Sequence, residues 1–122
     1  MPMFPKNCNV DVSNNTIIDL LRHGETKGGT CFRGSTNDSL TTLGWTQLRY
    51  ATDKHIDKYE TAWDRIITSP LCRCADFAQS LGEKYAIPVT CDKRLQEMHF
   101  GEWEGHTVDE LMKTDADALS RF

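Results

Sequence analysis

What this chain lacks narrows its reading first. No apolar run is long enough to cross a bilayer, so no membrane-spanning helix and no membrane partner are expected. Positive charge is not in excess: 14 Lys and Arg stand against 18 Asp and Glu, for a net charge of -4. That balance argues against nucleic acid as a partner. The N-terminus, Met1-Pro2-Met3-Phe4-Pro5-Lys6-Asn7-Cys8, has no basic region followed by an apolar stretch and no small-residue cleavage site. The 5 cysteines are odd in number and irregular in spacing, which fits reduced thiols and predicts a cytoplasmic location. Cys72-x-Cys74, the one close pair, has no second pair or neighbouring histidine, so no metal site is expected there. Internal repeats, low-complexity segments and evident linkers are also missing, and 122 residues make one domain at most.

What is present begins with a polar leader over residues 1–15, followed by a domain over 16–122. Thr16-Ile17-Ile18-Asp19-Leu20-Leu21 is too short for a stable helix and rich in β-branched and aliphatic residues. It reads as a buried strand running into Arg22-His23-Gly24-Glu25-Thr26. Lys27–Asp38 is a loop. A helix is predicted from a cap at Thr41 or Thr42, with Leu43, Gln47, Leu48 and Ala51 on one face and His55 in solvent. Trp63–Thr68 reads as a second strand. Ser69-Pro70 then starts a helix whose stripe is Leu71, Ala75, Ala78, Leu81 and Tyr85, with Arg73 off that stripe. Ile87–Cys91 is a third strand. Leu95–Gly105 is an acidic, aromatic loop, and Thr107 caps a short helix with Glu110 three residues on. A further helix is expected within Asp115–Phe122. Alternating strands and helices predict an α/β fold.

The residues at the strand ends carry the chemistry. Loops beyond the carboxyl ends of strands are where open α/β sheets bind ligands. Arg22 offers a permanent cation with a planar fork of donors, suited to phosphate or carboxylate oxygens. His23 is a nucleophile or base near neutral pH. Arg73 adds charge near a helix start whose free amides already favour an anion. Each also has an ordinary reading as a solvated surface residue.

Four stretches together resemble the histidine phosphatase superfamily, also called phosphoglycerate mutase-like. They are Leu21-Arg22-His23-Gly24-Glu25-Thr26, Asn37–Gln47, Ser69-Pro70-Leu71-Cys72-Arg73-Cys74-Ala75, and Leu95-Gln96-Glu97-Met98-His99-Phe100-Gly101-Glu102-Trp103-Glu104-Gly105. The resemblance implies a three-layer α/β/α sandwich. It implies a phosphomonoesterase whose nucleophile is His23, which becomes a phosphohistidine. Glu97 would be the general acid, with Glu102 and Glu104 as runners-up; Arg22, Arg73 and Asn37 would bind the substrate phosphate. His99 and His106 would be loop-packing or surface residues. No cofactor and no metal are implied, and the partner would be a small-molecule phosphomonoester.

Two departures shape the expectation further. The family's second essential histidine, in a His-Gly motif after a later strand, has no counterpart within these residues. The chain therefore resembles the N-terminal part, roughly 60%, of a domain of about 200 residues. Cofactor-dependent mutases usually carry arginine and tyrosine where Met98 and Phe100 stand here. The acid loop most resembles α-ribazole phosphatases, which remove a 5′-phosphate in cobalamin biosynthesis. Phe32, Phe100 and Trp103 could face a benzimidazole base, although at least two of them are expected to serve packing. The alternatives are a broad small-molecule or sugar-phosphate phosphatase, a phosphoglycerate mutase, and a truncated module that binds phosphate without turnover.

Overall fold

The computed structural model describes residues 15–29 and 31–122. The expected leader lies outside the described residues except for its last position.

The longest element is α1, Thr42–Tyr59. Thr41 caps it as expected, its side-chain oxygen accepting the Gly44 N–H at 3.0 Å. The buried face is Gly44, Leu48 and Thr52; of the expected face Leu48 is buried, while Leu43 is 51% exposed. The reason is a close backbone contact. A Cβ on Gly44 would overlap the Glu25 carbonyl, and one on Gly24 would overlap the Gly44 carbonyl. Only two glycines let the 24–25 backbone lie against the first turn of α1, and that contact fixes which side of the helix faces inward. Thr52 is buried without penalty because its hydroxyl donates to the Leu48 carbonyl at 3.0 Å.

A β–α–β unit follows: β1 (Ile66–Thr68), α2 (Cys72–Tyr85) and β2 (Val89–Cys91). The two strands are parallel, with Ile66 opposite Val89 and Thr68 opposite Cys91. Both are shorter than expected, since Trp63–Arg65 and Ile87-Pro88 lead into them. Ser69 precedes the helix instead of capping it. Its hydroxyl accepts the Leu71 N–H at 3.3 Å, and Leu71 takes the N-cap position. The buried residues of α2 are Arg73, Phe77, Ala78, Leu81 and Gly82. Ala78 and Leu81 were expected; Arg73 and Phe77 were not.

Leu40, Leu48, Phe77 and Leu81 form the core, with Trp45, Trp63, Ile66 and Tyr85 packed around it. The core thus joins α1 to α2, and Trp45 reaches it by placing its ring centroid 5.7 Å from that of Phe77. Two single 3-10 turns, Lys93–Leu95 leading into the acidic loop and Gly101–Trp103 within it, precede α3 (Val108–Thr114) and α4 (Ala116–Arg121). Thr107 caps α3 as expected, accepting the Glu110 N–H at 3.1 Å.

The expected first strand is a correction. Residues 15–25 form no ladder among the described residues, and Ile17, Ile18 and Leu20 are 87, 76 and 94% exposed. Apolar pattern alone does not make a strand; its backbone groups need a partner, and β1 pairs with β2. Polar contacts tether the stretch instead. The Trp63 indole N–H donates to Asp19 at 2.8 Å, and His55 Nε2 lies 3.4 Å from the same carboxylate. His55 is accordingly half-buried and stacked on Trp63, not free in solvent as expected.

The Gly24–Gly44 contact gives a test with an unusual sign. Glycine to alanine inside a helix ordinarily gains about 1 kcal/mol. Here Gly44→Ala is expected to lose about 1–3 kcal/mol through overpacking, read as a lower urea midpoint. A gain in stability would show that the contact yields at no cost.

Candidate active site

The motif residues converge on one cavity of about 580 Å³, whose lining includes Arg22, His23, Arg73 and Glu97. They come from three separate parts of the chain: the stretch after residue 21, the first turn of α2, and the acidic loop.

His23 is half-buried, and its Nδ1 lies 2.8 Å from the Gly24 carbonyl oxygen. A carbonyl can only accept, so Nδ1 carries the proton and the lone pair of the neutral ring falls on Nε2. The loop that holds this ring is itself held. Glu25 N–H donates to Gln47 at 2.9 Å, and Thr41 donates its N–H to the Glu25 carbonyl at 3.0 Å and its hydroxyl to the Glu25 carboxylate at 2.8 Å. The first turns of α1 therefore position the histidine through its neighbours. Gln47 and Gly44 were not singled out from sequence for this role; the Gly-Trp pair at a helix start was the available signal.

Arg73 is the least expected feature. It is 3% exposed, and its guanidinium donates to the Thr36 carbonyl at 2.6 Å and the Gly34 carbonyl at 2.8 Å. Its Nε is buried without a partner among the described residues. Buried donors are ordinarily paired, and this unpaired one belongs to a residue that lines the cavity. Arg22 is exposed and lines the same cavity. Arg33 is a third arginine there, but its guanidinium is engaged by Asp38 and the Gly29 carbonyl, where it closes the 29–38 loop.

Glu97 is exposed and lines the cavity, with one carboxylate oxygen accepting the Met98 N–H at 3.0 Å. The other acids of its loop lie elsewhere. Glu102 is exposed outside the cavity, and Glu104 is bound by the 35–36 loop, accepting the Ser35 N–H at 2.8 Å. That N–H holds the Glu104 carboxyl below its usual range. His99 accepts the Gly101 N–H at 2.8 Å, and His106 pairs with Glu110 at 2.8 Å; neither lines the cavity.

Asn37 is not among the cavity residues. Its side-chain oxygen accepts the Cys72 N–H at 2.8 Å, so it satisfies the first amide of α2. Of the aromatic trio, Phe32 and Phe100 line the cavity while packing on each other at 5.1 Å. Trp103 packs on Phe32 and donates its indole N–H to Asp115 at 2.8 Å.

The family profile described as histidine phosphatase superfamily, branch 1, matches residues 18–122. The chain belongs to the histidine phosphatase superfamily. It is 37% identical over 101 residues to a glucosyl-3-phosphoglycerate phosphatase of Mycobacterium tuberculosis, covering 81% of this chain and 43% of that protein. It is 31% identical over 105 residues to the adenosylcobalamin/alpha-ribazole phosphatase of Escherichia coli, covering 84% of this chain and 50% of that protein. A solved structure of mycobacterial glucosyl-3-phosphoglycerate phosphatase complexed with VO3 superposes with a TM-score of 0.66 at 32% identity. That match covers 80% of this chain and 49% of the other. The chain thus spans about half the length of the relatives it matches, and within that span it has the histidine phosphatase fold.

The Arg73 contacts yield a stability test. Arg73→Leu strips the buried Gly34 carbonyl of its donor. It is expected to cost about 1–3 kcal/mol, measured as a fall in the urea midpoint. A variant as stable as the parent would show that this carbonyl finds another donor.

Proposed function

We propose that the protein is a phosphomonoesterase working through a phosphohistidine on His23. The observation that carries this reading is that one cavity gathers Arg22, Arg73 and Glu97 around a histidine whose Nδ1 is already committed, with the Arg73 Nε buried and unpartnered among the described residues. The Nε2 lone pair attacks phosphorus, and the bond to the leaving oxygen breaks. Glu97 donates the proton that the departing alkoxide needs. Water, giving a proton back to the Glu97 carboxylate, then attacks phosphorus as the P–N bond breaks, releasing phosphate and restoring the imidazole and the acid. Arg22 and Arg73 bind the equatorial oxygens, whose charge the reaction redistributes.

For the substrate, we favour a small sugar-linked or otherwise hydroxylated phosphomonoester over α-ribazole 5′-phosphate. Phe32, Phe100 and Trp103 are occupied largely with one another and with Phe122, which leaves little free face for a flat base. Polar groups of Gln47 and Glu25 share the cavity wall. The 37% identity to a glucosyl-3-phosphoglycerate phosphatase points the same way.

Rapid quenching with labelled phosphomonoester tests the nucleophile. The expected adduct is acid-labile, base-stable and on His23. Label on His99, His106 or a cysteine would overturn the assignment. Arg73→Lys is expected to lower turnover about a hundred- to a thousandfold, because an ammonium cannot replace the planar fork. Unchanged turnover would remove Arg73 from the phosphoryl site, and phosphate binding without turnover in the parent would favour a binding module.

A further inference from the structure

We infer that Glu104 is a positioning residue for this cavity: its carboxylate fixes the Gly34–Thr36 segment that in turn holds Arg73. The inference rests on the cavity being the phosphate site proposed above.

The segment is gripped from both sides. Its carbonyls at Gly34 and Thr36 accept from the Arg73 guanidinium. Three of its donors go to Glu104, while the Thr36 N–H donates to the Arg33 carbonyl at 2.8 Å. The carboxylate accepts the Ser35 N–H at 2.8 Å, the Ser35 hydroxyl at 3.2 Å and the Thr36 hydroxyl at 3.3 Å. A cation at the Gly34 C=O and an anion at the Ser35 N–H polarise the same peptide in the same sense, so each strengthens the other's hydrogen bond. The Glu104 side chain is 15% exposed, which limits competition from water.

The segment also has little freedom to adapt. Gly34 has φ +51°, and a Cβ there would overlap the Glu104 carboxylate. Glu104 further accepts the Phe100 N–H at 3.2 Å, so the same carboxylate braces the loop that carries Glu97. Two backbone bonds close the bridge beside it, Gly105 N–H to the Phe32 carbonyl at 2.8 Å and Phe32 N–H to the His106 carbonyl at 2.9 Å. One carboxylate thereby links the loop of the general acid to the loop that orients the buried arginine. Glu104 itself lies outside the cavity lining, so it acts through these neighbours.

The test compares the parent with Glu104→Ala, Glu104→Asp, Glu104→Gln and Glu102→Ala by two readouts. One is the hydrogen-exchange rate of the Arg73 Nε–H followed by NMR; the other is affinity for inorganic phosphate by calorimetry. Glu104→Ala is expected to speed exchange and weaken phosphate binding, each by about tenfold or more. Glu104→Gln keeps one acceptor oxygen for Ser35 and Phe100, and should remain within about threefold of the parent by that hydrogen-bond arithmetic. Glu104→Asp, one methylene short, should fall between them and serves in place of alanine if that variant does not fold. Glu102→Ala should match the parent. Parental exchange in Glu104→Ala or Glu104→Asp, or no rescue by glutamine, overturns the inference. A parent that binds no phosphate overturns the function proposed for the cavity, while the exchange rates still decide the role of Glu104.

Discussion

The arrangement depends on one buried cation. Taking a guanidinium out of water is costly unless its donors are met, and Arg73 meets that cost with the carbonyls of Gly34 and Thr36. Those bonds pin the loop before α1 to the start of α2. They also hold Arg73 at the cavity with one buried donor unspent. A surface arginine could approach a phosphate from many directions; this one has a fixed direction before any ligand arrives. Such preorganisation suits phosphoryl transfer, in which positioning and charge stabilisation carry most of the catalysis.

His23 is placed by a different device. No strand ladder supports the residues before it, and the apolar side chains at 17, 18 and 20 are exposed. The ring is fixed instead from its C-terminal side. Gly24 and Glu25 lie against the first turn of α1, and Thr41 and Gln47 hold their backbone. The core between α1 and α2 then sets the distance from this loop to Arg73. Packing of Leu48 and Phe77 is thus connected to the cavity, although neither lines it.

Much of this was legible in the sequence. The four motif stretches named the family, and each of them delivers at least one residue to one cavity, the second through Gln47. The caps at Thr41 and Thr107 were readable because capping is local chemistry. What failed was non-local. The strand before Arg22 depends on a pairing partner that pattern cannot supply. The inward face of α1 depends on a glycine contact from residues 24–25, which an apolar stripe does not register. Arg73 was placed off the core stripe because only apolar residues were counted, yet its carbonyl partners lie 37 and 39 residues earlier in the chain. Asn37 carried a role from the motif, whereas its side-chain oxygen serves the Cys72 amide.

We place one phosphoryl position among Arg22, His23, Arg73 and Glu97. A crystal structure of the protein with vanadate, a mimic of that group, tests it most directly. Vanadate is expected in the cavity on His23 Nε2, with its oxygens accepting from Arg22 and from Arg73, the Arg73 Nε now included. Vanadate bound elsewhere, with the Arg73 Nε still unpartnered and the His23 ring untouched, would contradict it.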